Sequence, residues 1–121
     1  MKGKEANLQM ECVNWFRYQF PAYKMLLFAI PNGGKRNVVE AMNLKKQGVL
    51  AGVADLFLAM PSPNHHGFFI EMKVGKNEMT QTQQDFKRAV EKRGYRHEVV
   101  CSFDQFQREA NFYIKQTHNG N

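Results

Sequence analysis

Apolar residues recur along this chain with two different periods, and the alternation of those periods predicts a mixed α/β domain. Four segments place apolar residues every three or four positions, as amphipathic helices do: 5–19, 36–47, 80–93 and 103–116. Four others are apolar runs of strand length: 25–30, 53–60, 67–74 and 96–101. In chain order the predicted elements are α-β-α-β-β-α-β-α. They form a single domain over residues 1–121, with a core at about 5–101 and a C-terminal helix at about 103–116.

Short polar segments mark where the predicted elements end. Pro31-Asn32-Gly33-Gly34 closes the first strand, and the loop 61–66 joins the second and third strands into a hairpin. Thr80 and Gln83 match a capping box at the start of the third helix. The second helix carries three apolar residues that we expect to pack on the body of the domain: Val39, Met42 and Leu44.

The net charge of the chain and its distribution indicate which class of molecule the protein binds. The chain has 17 Lys and Arg against 11 Asp and Glu, a formal net charge of +6. Two basic segments, 35–46 and 87–97, flank a more acidic stretch at 55–85, which suits an enzyme that acts on phosphodiesters. Lysine and arginine residues that only keep helix surfaces exposed to water would give the same counts. Charge alone therefore does not establish that the partner is a nucleic acid.

Composition and motif spacing argue against a membrane span, an export signal, a disulfide framework and a zinc site. No apolar run approaches the ~20 residues of a membrane span, and the polar N-terminal segment does not have the apolar centre of an export signal. Cys12 and Cys101 are too few for a disulfide framework, and we expect both to be core residues in a reducing compartment. His65 and His66 lack further ligands at the spacing that zinc requires.

Three charged residues interrupt the otherwise apolar hairpin: Asp55, Glu71 and Lys73. Because side chains alternate along a strand, Glu71 and Lys73 share a face, and closing the hairpin brings Asp55 opposite one of them. Two carboxylates at this spacing suit Mg²⁺ or Mn²⁺. The ammonium would neutralise charge on a phosphodiester under attack or orient the attacking water. The alternative is a structural ion pair between Lys73 and Asp55 or Glu71.

Two polar residues on helices are further candidates. Glu11 lies on the flank of the apolar stripe of the first helix, where it is either a third metal ligand or an edge residue that reaches solvent. Gln83 lies on the stripe of the third helix with Phe86 and Val90, so its amide either supports the acidic cluster or serves only in the capping box. The residues themselves leave both choices open.

In order and spacing these motifs resemble the VRR-NUC domain, the virus-type replication-repair nuclease branch of the PD-(D/E)XK superfamily. The resemblance covers about Glu5 to Val100 and is carried by these segments: Glu11, Pro31-Asn32-Gly33-Gly34, Gln47-Gly48-Val49, Gly52-Val53-Ala54-Asp55, Glu71-Met72-Lys73 and Thr80-x-x-Gln83. It implies a restriction-endonuclease-like core, α-β-β-β-α-β, to which this chain adds one helix after the first strand and one at the C-terminus. Ala54 stands where the superfamily often has Pro, which this branch commonly lacks.

The resemblance also implies a role for each candidate. Glu11, Asp55 and Glu71 would bind the divalent metal, Mg²⁺ or Mn²⁺, with the backbone carbonyl of Met72 as a further ligand. Lys73 would be the catalytic lysine, and Gln83 would be the supporting amide. Candidates for contacts with the nucleic-acid backbone are these residues: Asn32, Lys35, Arg36, Lys45, Lys46, Lys87, Arg88 and Arg93.

As a bare nuclease domain, the chain looks like the stand-alone phage-type members, which are similar in logic to dimeric Holliday-junction resolvases. The expected function is a Mg²⁺- or Mn²⁺-dependent DNA endonuclease that cleaves branched DNA, such as four-way junctions, in the cytoplasm of a host cell. We expect a homodimer, in which Phe112 is exposed or covers the partner subunit; the alternative is that Phe112 packs against a neighbouring loop of its own chain. The alternatives are a non-specific or flap-type nuclease or nickase, and a catalytically silent nucleic-acid-binding module on the same fold.

Overall fold

Helices cover both faces of a four-stranded sheet in the computed structural model, which describes residues 2–31 and 37–119. The strands are β1 Leu27–Ala29, β2 Leu56–Leu58, β3 Phe68–Met72 and β4 Arg96–Val100. The helices are α1 Lys2–Gln19, α2 Val38–Lys46, α3 Gln81–Glu91 and α4 Phe103–Asn119, and a turn of 3₁₀ helix spans Pro21–Tyr23. The order of helices and strands agrees with the predicted α-β-α-β-β-α-β-α.

The strands lie in the sheet in the order β1-β2-β3-β4. β2 is antiparallel to β1 and to β3, and β4 runs parallel to β3 after the crossover through α3. The predicted hairpin is therefore confirmed, with Leu56 opposite Ile70. The same register places Asp55, one residue before β2, opposite Glu71.

The two faces of the sheet differ in what covers them. Leu56, Leu58 and Ile70 face the main core, which α1 and α4 complete with a set of buried residues: Cys12, Phe16, Phe106, Ala110, Tyr113 and Ile114. The phenol of Tyr113 donates to the Met60 carbonyl at 2.8 Å, which ties α4 to the end of β2. The predicted stripe of the last helix is thus confirmed.

On the opposite face, Glu71 is accompanied by two aromatic residues of the sheet and one of α3. The ring of Phe69 meets Phe86 edge-on at 5.0 Å, and Phe86 lies 6.0 Å from the ring of His97. This aromatic contact seats α3 against β3 and β4. It also brings the start of α3 beside Glu71.

The β2–β3 ladder is shorter than the apolar runs predicted, and a side chain explains where it stops. At the position after the Leu56–Ile70 pair, the backbone N–H of Met72 donates to Asp55 Oδ2 at 2.7 Å. A carboxylate therefore replaces the backbone acceptor that would extend the ladder. Residues 53–55, which include Asp55, and residues 73–74 are therefore left outside the regular strands.

Two expectations about burial are wrong. Val39 and Met42 on α2 are 66% and 54% exposed, because this helix lies away from the body of the domain and has no buried residue. Cys101 is exposed at the end of β4, whereas Cys12 is buried in the core as expected. Burial, with a smaller effect from the charge of Glu11, raises the pKa of Cys12 to about 12. No helix among the described residues is both long enough and apolar enough to cross a membrane.

Candidate active site

Asp55 and Glu71 form the centre of the site at the end of the β2–β3 ladder. The hydrogen bond from the Met72 amide fixes the Asp55 carboxylate at 2.7 Å. Glu71 lies on β3 and is 2% exposed. Its Oε2 accepts a hydrogen bond from Gln83 Nε2 at 3.1 Å, whereas its Oε1 is buried and has no partner among the described residues. When Glu71 is ionised, this buried oxygen needs a partner that the described residues do not supply, such as a cation.

The charge of Glu71 is suppressed by its surroundings. Burial raises the pKa of Glu71 to about 8, and the neighbouring Asp55 acts in the same direction, through its charge and because only a protonated Glu71 can donate a hydrogen bond to it. The ammonium of Lys73 opposes this rise in pKa, and the charge of Glu5 adds to it. Two carboxylates this close cannot both ionise freely unless a cation lies between them. In the protein alone, Glu71 therefore keeps its proton to a higher pH than an ordinary carboxyl group does.

Gln83 fulfils both roles that the sequence left open. Its Oε1 accepts from the Thr80 backbone N–H at 2.9 Å, and its own N–H donates to Thr80 Oγ1 at 3.2 Å, which completes the capping box. The other end of the same amide donates to Glu71. The start of α3 and the orientation of Glu71 are therefore set by one side chain.

Lys73 directly follows β3 and is half-buried. Its backbone N–H donates to the Val100 carbonyl at 3.0 Å, which fixes the chain at this point. The positive charge of its ammonium acts to lower the pKa of Glu71. Within the described chain, no carboxylate lies within 4.0 Å of its ammonium, so the alternative of a structural ion pair is not observed.

The carboxylate of α1 whose charge acts on Glu71 is Glu5, which the sequence pattern did not identify. Glu5 Oε2 accepts from Asn77 Nδ2 at 2.7 Å and from the Val74 N–H at 3.5 Å, in the loop that follows Lys73. Glu11 is exposed. Because six residues along a helix amount to about 240° of rotation and about 9 Å of rise, Glu11 cannot face the same point.

The apolar stripe of α1 could have identified Glu5. The buried residues Cys12 and Phe16 and the half-buried Leu8 define the inward face of the helix. Extending that stripe back by one turn reaches Glu5, whereas Glu11 lies about 100° away from Cys12. The structure thus does not bring Glu11 together with Asp55 and Glu71.

Gly52 fixes how the Asp55 loop approaches α3. It has a φ of +93°, and a Cβ at this position would lie 2.4 Å from the backbone oxygen of Thr82. Only glycine permits both the left-handed conformation and this close approach. The segment that leads into Asp55 therefore rests on the first turn of α3, next to Gln83.

The donor set fits a hard divalent cation. Among the described residues no cluster of three His, Cys, Asp or Glu stands ready to bind a metal. Mg²⁺, however, keeps several waters and usually takes only one or two carboxylates. The paired carboxylates and the unsatisfied Oε1 of Glu71 match that requirement. The Met72 carbonyl, at the same point of β3, stays a predicted ligand.

The basic residues predicted to contact nucleic acid fall into three groups. One group is exposed and forms no ion pair in the described chain: Lys45, Lys46 and Arg93. The second group is engaged within the protein and consists of Arg88 and Lys87. Arg88 pairs with Asp85 at 2.6 Å. Lys87 donates to Glu91 at 3.0 Å and to the His97 carbonyl at 2.7 Å, so its ammonium is directed toward the sheet. The third group lies outside the described residues: Asn32, Lys35 and Arg36.

Comparison with known proteins gives the family of the chain. The profile of the VRR-NUC domain matches residues 1–104. A solved structure described as a VRR_NUC domain protein superposes with a TM-score of 0.81 at 27% sequence identity, covering 93% of this chain and 88% of that one. No curated protein matches the chain. The chain therefore belongs to the VRR-NUC family, and it is a nuclease domain of the PD-(D/E)XK type.

Proposed function

We propose that this chain is an endonuclease that hydrolyses DNA phosphodiester bonds with Mg²⁺ or Mn²⁺ bound by Asp55, Glu71 and the Met72 carbonyl. The observation that carries the proposal is the pair of half-buried Asp55 and buried Glu71, in which Glu71 Oε1 has no partner among the described residues. Glu5 replaces Glu11 as the carboxylate that α1 would contribute, since its contacts with Asn77 and Val74 put it beside this pair. When bound, the ion would lower the pKa of a water molecule and polarise the phosphate.

The protein's own groups would orient the residues that hold the ion and would act on the substrate. Gln83 holds Glu71 Oε2 and so aims the opposite oxygen, and the Met72 amide does the same for Asp55. Lys73 would place a compact positive charge where negative charge develops on the phosphoryl oxygens, or would orient the attacking water. The Gln83 amide and the Asp55 carboxylate are fixed by side-chain hydrogen bonds, and Lys73 by its backbone bond to Val100, before substrate binds. Electrostatic stabilisation of a transition state requires groups that are positioned in advance.

The direct test is digestion of labelled duplex, flap and four-way-junction DNA by the wild-type chain and Asp55→Asn, with Mg²⁺, Mn²⁺ or EDTA. Asp85→Asn is a matched control, because Asp85 is an exposed carboxylate on α3 that pairs only with polar neighbours. We expect cleavage that requires metal, is lost in Asp55→Asn and persists in Asp85→Asn. Equal cleavage in EDTA, or by Asp55→Asn, would contradict the assignment.

Within this proposal, branched DNA is the preferred substrate and a homodimer is the active form. The nine-residue helix α2 exposes Val38, Val39 and Met42 at 74%, 66% and 54%. So short a helix is marginal in water without a packing partner, and a second copy of the chain would supply one. A two-fold dimer would also offer two related active sites to the two related strands of a four-way junction.

Phe112 is a weaker candidate for the dimer surface. It is 54% exposed, but the guanidinium of Arg96 lies over its ring at 5.6 Å, so its own chain already covers part of it. We therefore place the contact on α2. Cys12 and Cys101 are both free, which is in keeping with action in a reducing cytoplasm.

A catalytically silent DNA-binding module is the second candidate. A module that only binds DNA gains nothing from two carboxylates in contact, because they repel phosphate. It would bind the three substrates and leave them intact at every metal concentration. Preference for flap or duplex DNA over the junction would instead support the flap-type or non-specific nuclease.

A further inference from the structure

A small cleft lies next to the active site, between the first turn of α1 and the loop that follows β3. Its lining consists of five residues: Lys4, Val74, Gly75, Lys76 and Asn77. The hydrogen bond from Asn77 to Glu5 at 2.7 Å ties the two sides together. The cleft is therefore built by a contact between residues 72 positions apart in the chain.

The lining of the cleft is positively charged. Lys4 and Lys76 are exposed, and neither forms an ion pair with the described residues. The carboxylate of Glu5 borders the cleft, and its Oε2 is already held by Asn77 and Val74. Two ammonium groups against one such carboxylate leave a net attraction for an anion.

The backbone of the loop adds uncharged donors. Gly75 has a φ of +70°, and nothing lies within 4 Å of the position a Cβ would take. In the described chain, the backbone N–H groups of Gly75 and Lys76 donate to no protein acceptor. A turn that leaves successive N–H groups free makes a concavity that suits the oxygens of an anion.

The position of the cleft determines which anion it would take. Gly75 follows Lys73 by two residues, so the two lie within about 7 Å along the backbone. One strand of DNA advances about 3.4 Å along the helix axis per nucleotide. When one phosphate of a strand is beside Lys73, a phosphate one or two nucleotides away can therefore reach the cleft.

We propose that the cleft formed by Lys4, Gly75, Lys76 and Asn77 binds a backbone phosphate of the same DNA strand, adjacent to the phosphate that is cleaved. This inference rests on the proposed nuclease function and extends it. The cleft would fix the direction in which the strand crosses the active site, and would contribute affinity without reading sequence. It adds Lys4 and Lys76 to the basic residues considered above.

The test compares the double variant Lys4→Gln/Lys76→Gln with a control of equal charge, Lys24→Gln/Lys115→Gln, whose exposed lysines lie outside the cleft. Binding of a labelled single strand and its duplex is measured by fluorescence anisotropy in EDTA over a salt series, and denaturing gels verify that the DNA stays intact. Thermal unfolding verifies that both variants fold.

Loss of one phosphate contact should reduce the slope of log K against log[salt] by about 0.7 on the single strand and about 0.9 on the duplex. We expect that reduction in the cleft variant and little change in the control. In Mg²⁺ the cleft variant should show a raised KM, with kcat at saturating DNA close to that of the wild type.

The outcomes separate this inference from the proposed function. A wild-type slope in the cleft variant would overturn the inference while leaving the nuclease assignment intact. Absence of cleavage by the wild type, with the slope change present, would instead remove the nuclease assignment. A calorimetric signal for inorganic phosphate that disappears in the variant, with unchanged DNA binding, would assign the cleft to free phosphate and overturn the inference.

Discussion

The amide of Gln83 links the start of α3 to Glu71: Nε2 donates to Glu71 Oε2 at 3.1 Å, while Oε1 accepts from the Thr80 N–H at 2.9 Å. The two ends of one side chain thus serve stability and chemistry separately. Substitutions that remove one end or both can therefore distinguish the two roles.

We expect Gln83→Glu to retain the acceptor for Thr80 and to lose the donor to Glu71. Cleavage should fall at least tenfold, and the melting temperature at neutral pH should fall as well, because the new carboxylate lies against Glu71. Gln83→Ala loses both contacts and should also cost about 1 kcal/mol of stability, the usual value of a helix cap. Gln84→Ala, in which a neighbouring exposed amide is removed, is the control. Wild-type cleavage by Gln83→Glu would show that the contact with Glu71 is dispensable.

Glu71→Gln should stabilise the metal-free protein above pH 7 while abolishing cleavage. The pKa of Glu71 is raised to about 8, so the folded state binds a proton more tightly than the unfolded state. The wild type therefore loses stability as the pH rises from about 4.5 toward 8, by up to a few kcal/mol, and the neutral amide avoids that loss. Urea unfolding at pH 5 and pH 8 measures the difference. A variant less stable than the wild type at pH 8 would contradict this, and exposed Glu78→Gln serves as the control.

Lys73→Ala should lose most of the cleavage rate and keep metal affinity, because the ammonium is not a ligand. Lys73→Arg should rescue poorly, since a wide planar guanidinium does not replace a compact charge. Single-turnover cleavage and calorimetric metal titration separate the two quantities. Reduced metal affinity with unchanged turnover at saturating metal would refute the role.

His97 should make the fold sensitive to mild acid. Its ring is buried, and neither nitrogen has a hydrogen-bond partner in the described chain. Burial, then the charge of Lys87, lowers the pKa of His97 to about 4, while Glu91 opposes the shift. Because the unfolded state takes up the proton first, stability should fall as the pH drops from about 6.5 to about 4, by up to about 3 kcal/mol.

The measurement is the difference in unfolding free energy between the wild type and His97→Phe, taken from pH 7 down to pH 4. The phenylalanine ring does not titrate, so the variant should lose less stability over this range. His66→Phe, at an exposed position, controls for the loss of a histidine as such. Parallel pH profiles for the wild type and His97→Phe would contradict the prediction.

The wild type should scatter light with twice the 14.1 kDa mass of one chain, and Val39→Glu/Met42→Glu should reduce this to the monomer. Met25→Glu is the control, because Met25 is 85% exposed outside α2. Junction cleavage should fall more than nicking of simple duplex when the dimer is lost. A wild-type mass of 14.1 kDa over a wide dilution range would rule the dimer out.

The acidic pair was predictable because it depends on local geometry. A hairpin about a short loop allows few registers, and alternation along β3 fixes the face of Glu71. The start of α3 was equally predictable, because Thr80 and Gln83 have the three-residue spacing of a capping box. What the pattern could not decide was whether Gln83 reached Glu71 as well, because that depends on how closely the Gly52 segment lets α3 approach.

The errors arose where long-range contacts decide the outcome. The choice between Glu5 and Glu11 depends on Asn77, which lies far along the chain from both. The apolar residues of α2 read as packing residues, but nothing within that helix indicates which surface would cover them. Cys101 was placed in the core by residue type alone, although it lies just beyond the last residue of β4.

Met72 has its side chain in the apolar core, 1% exposed, whereas its backbone N–H donates to Asp55 from the neighbouring strand segment. The residue therefore gives the active site nothing that depends on its own side chain. Other apolar residues of similar volume can occupy this position, and the interior can be repacked through it while the acidic pair keeps its geometry. The residue between Glu71 and Lys73 could in this way change with the core, without altering the polar groups that we assign to the active site.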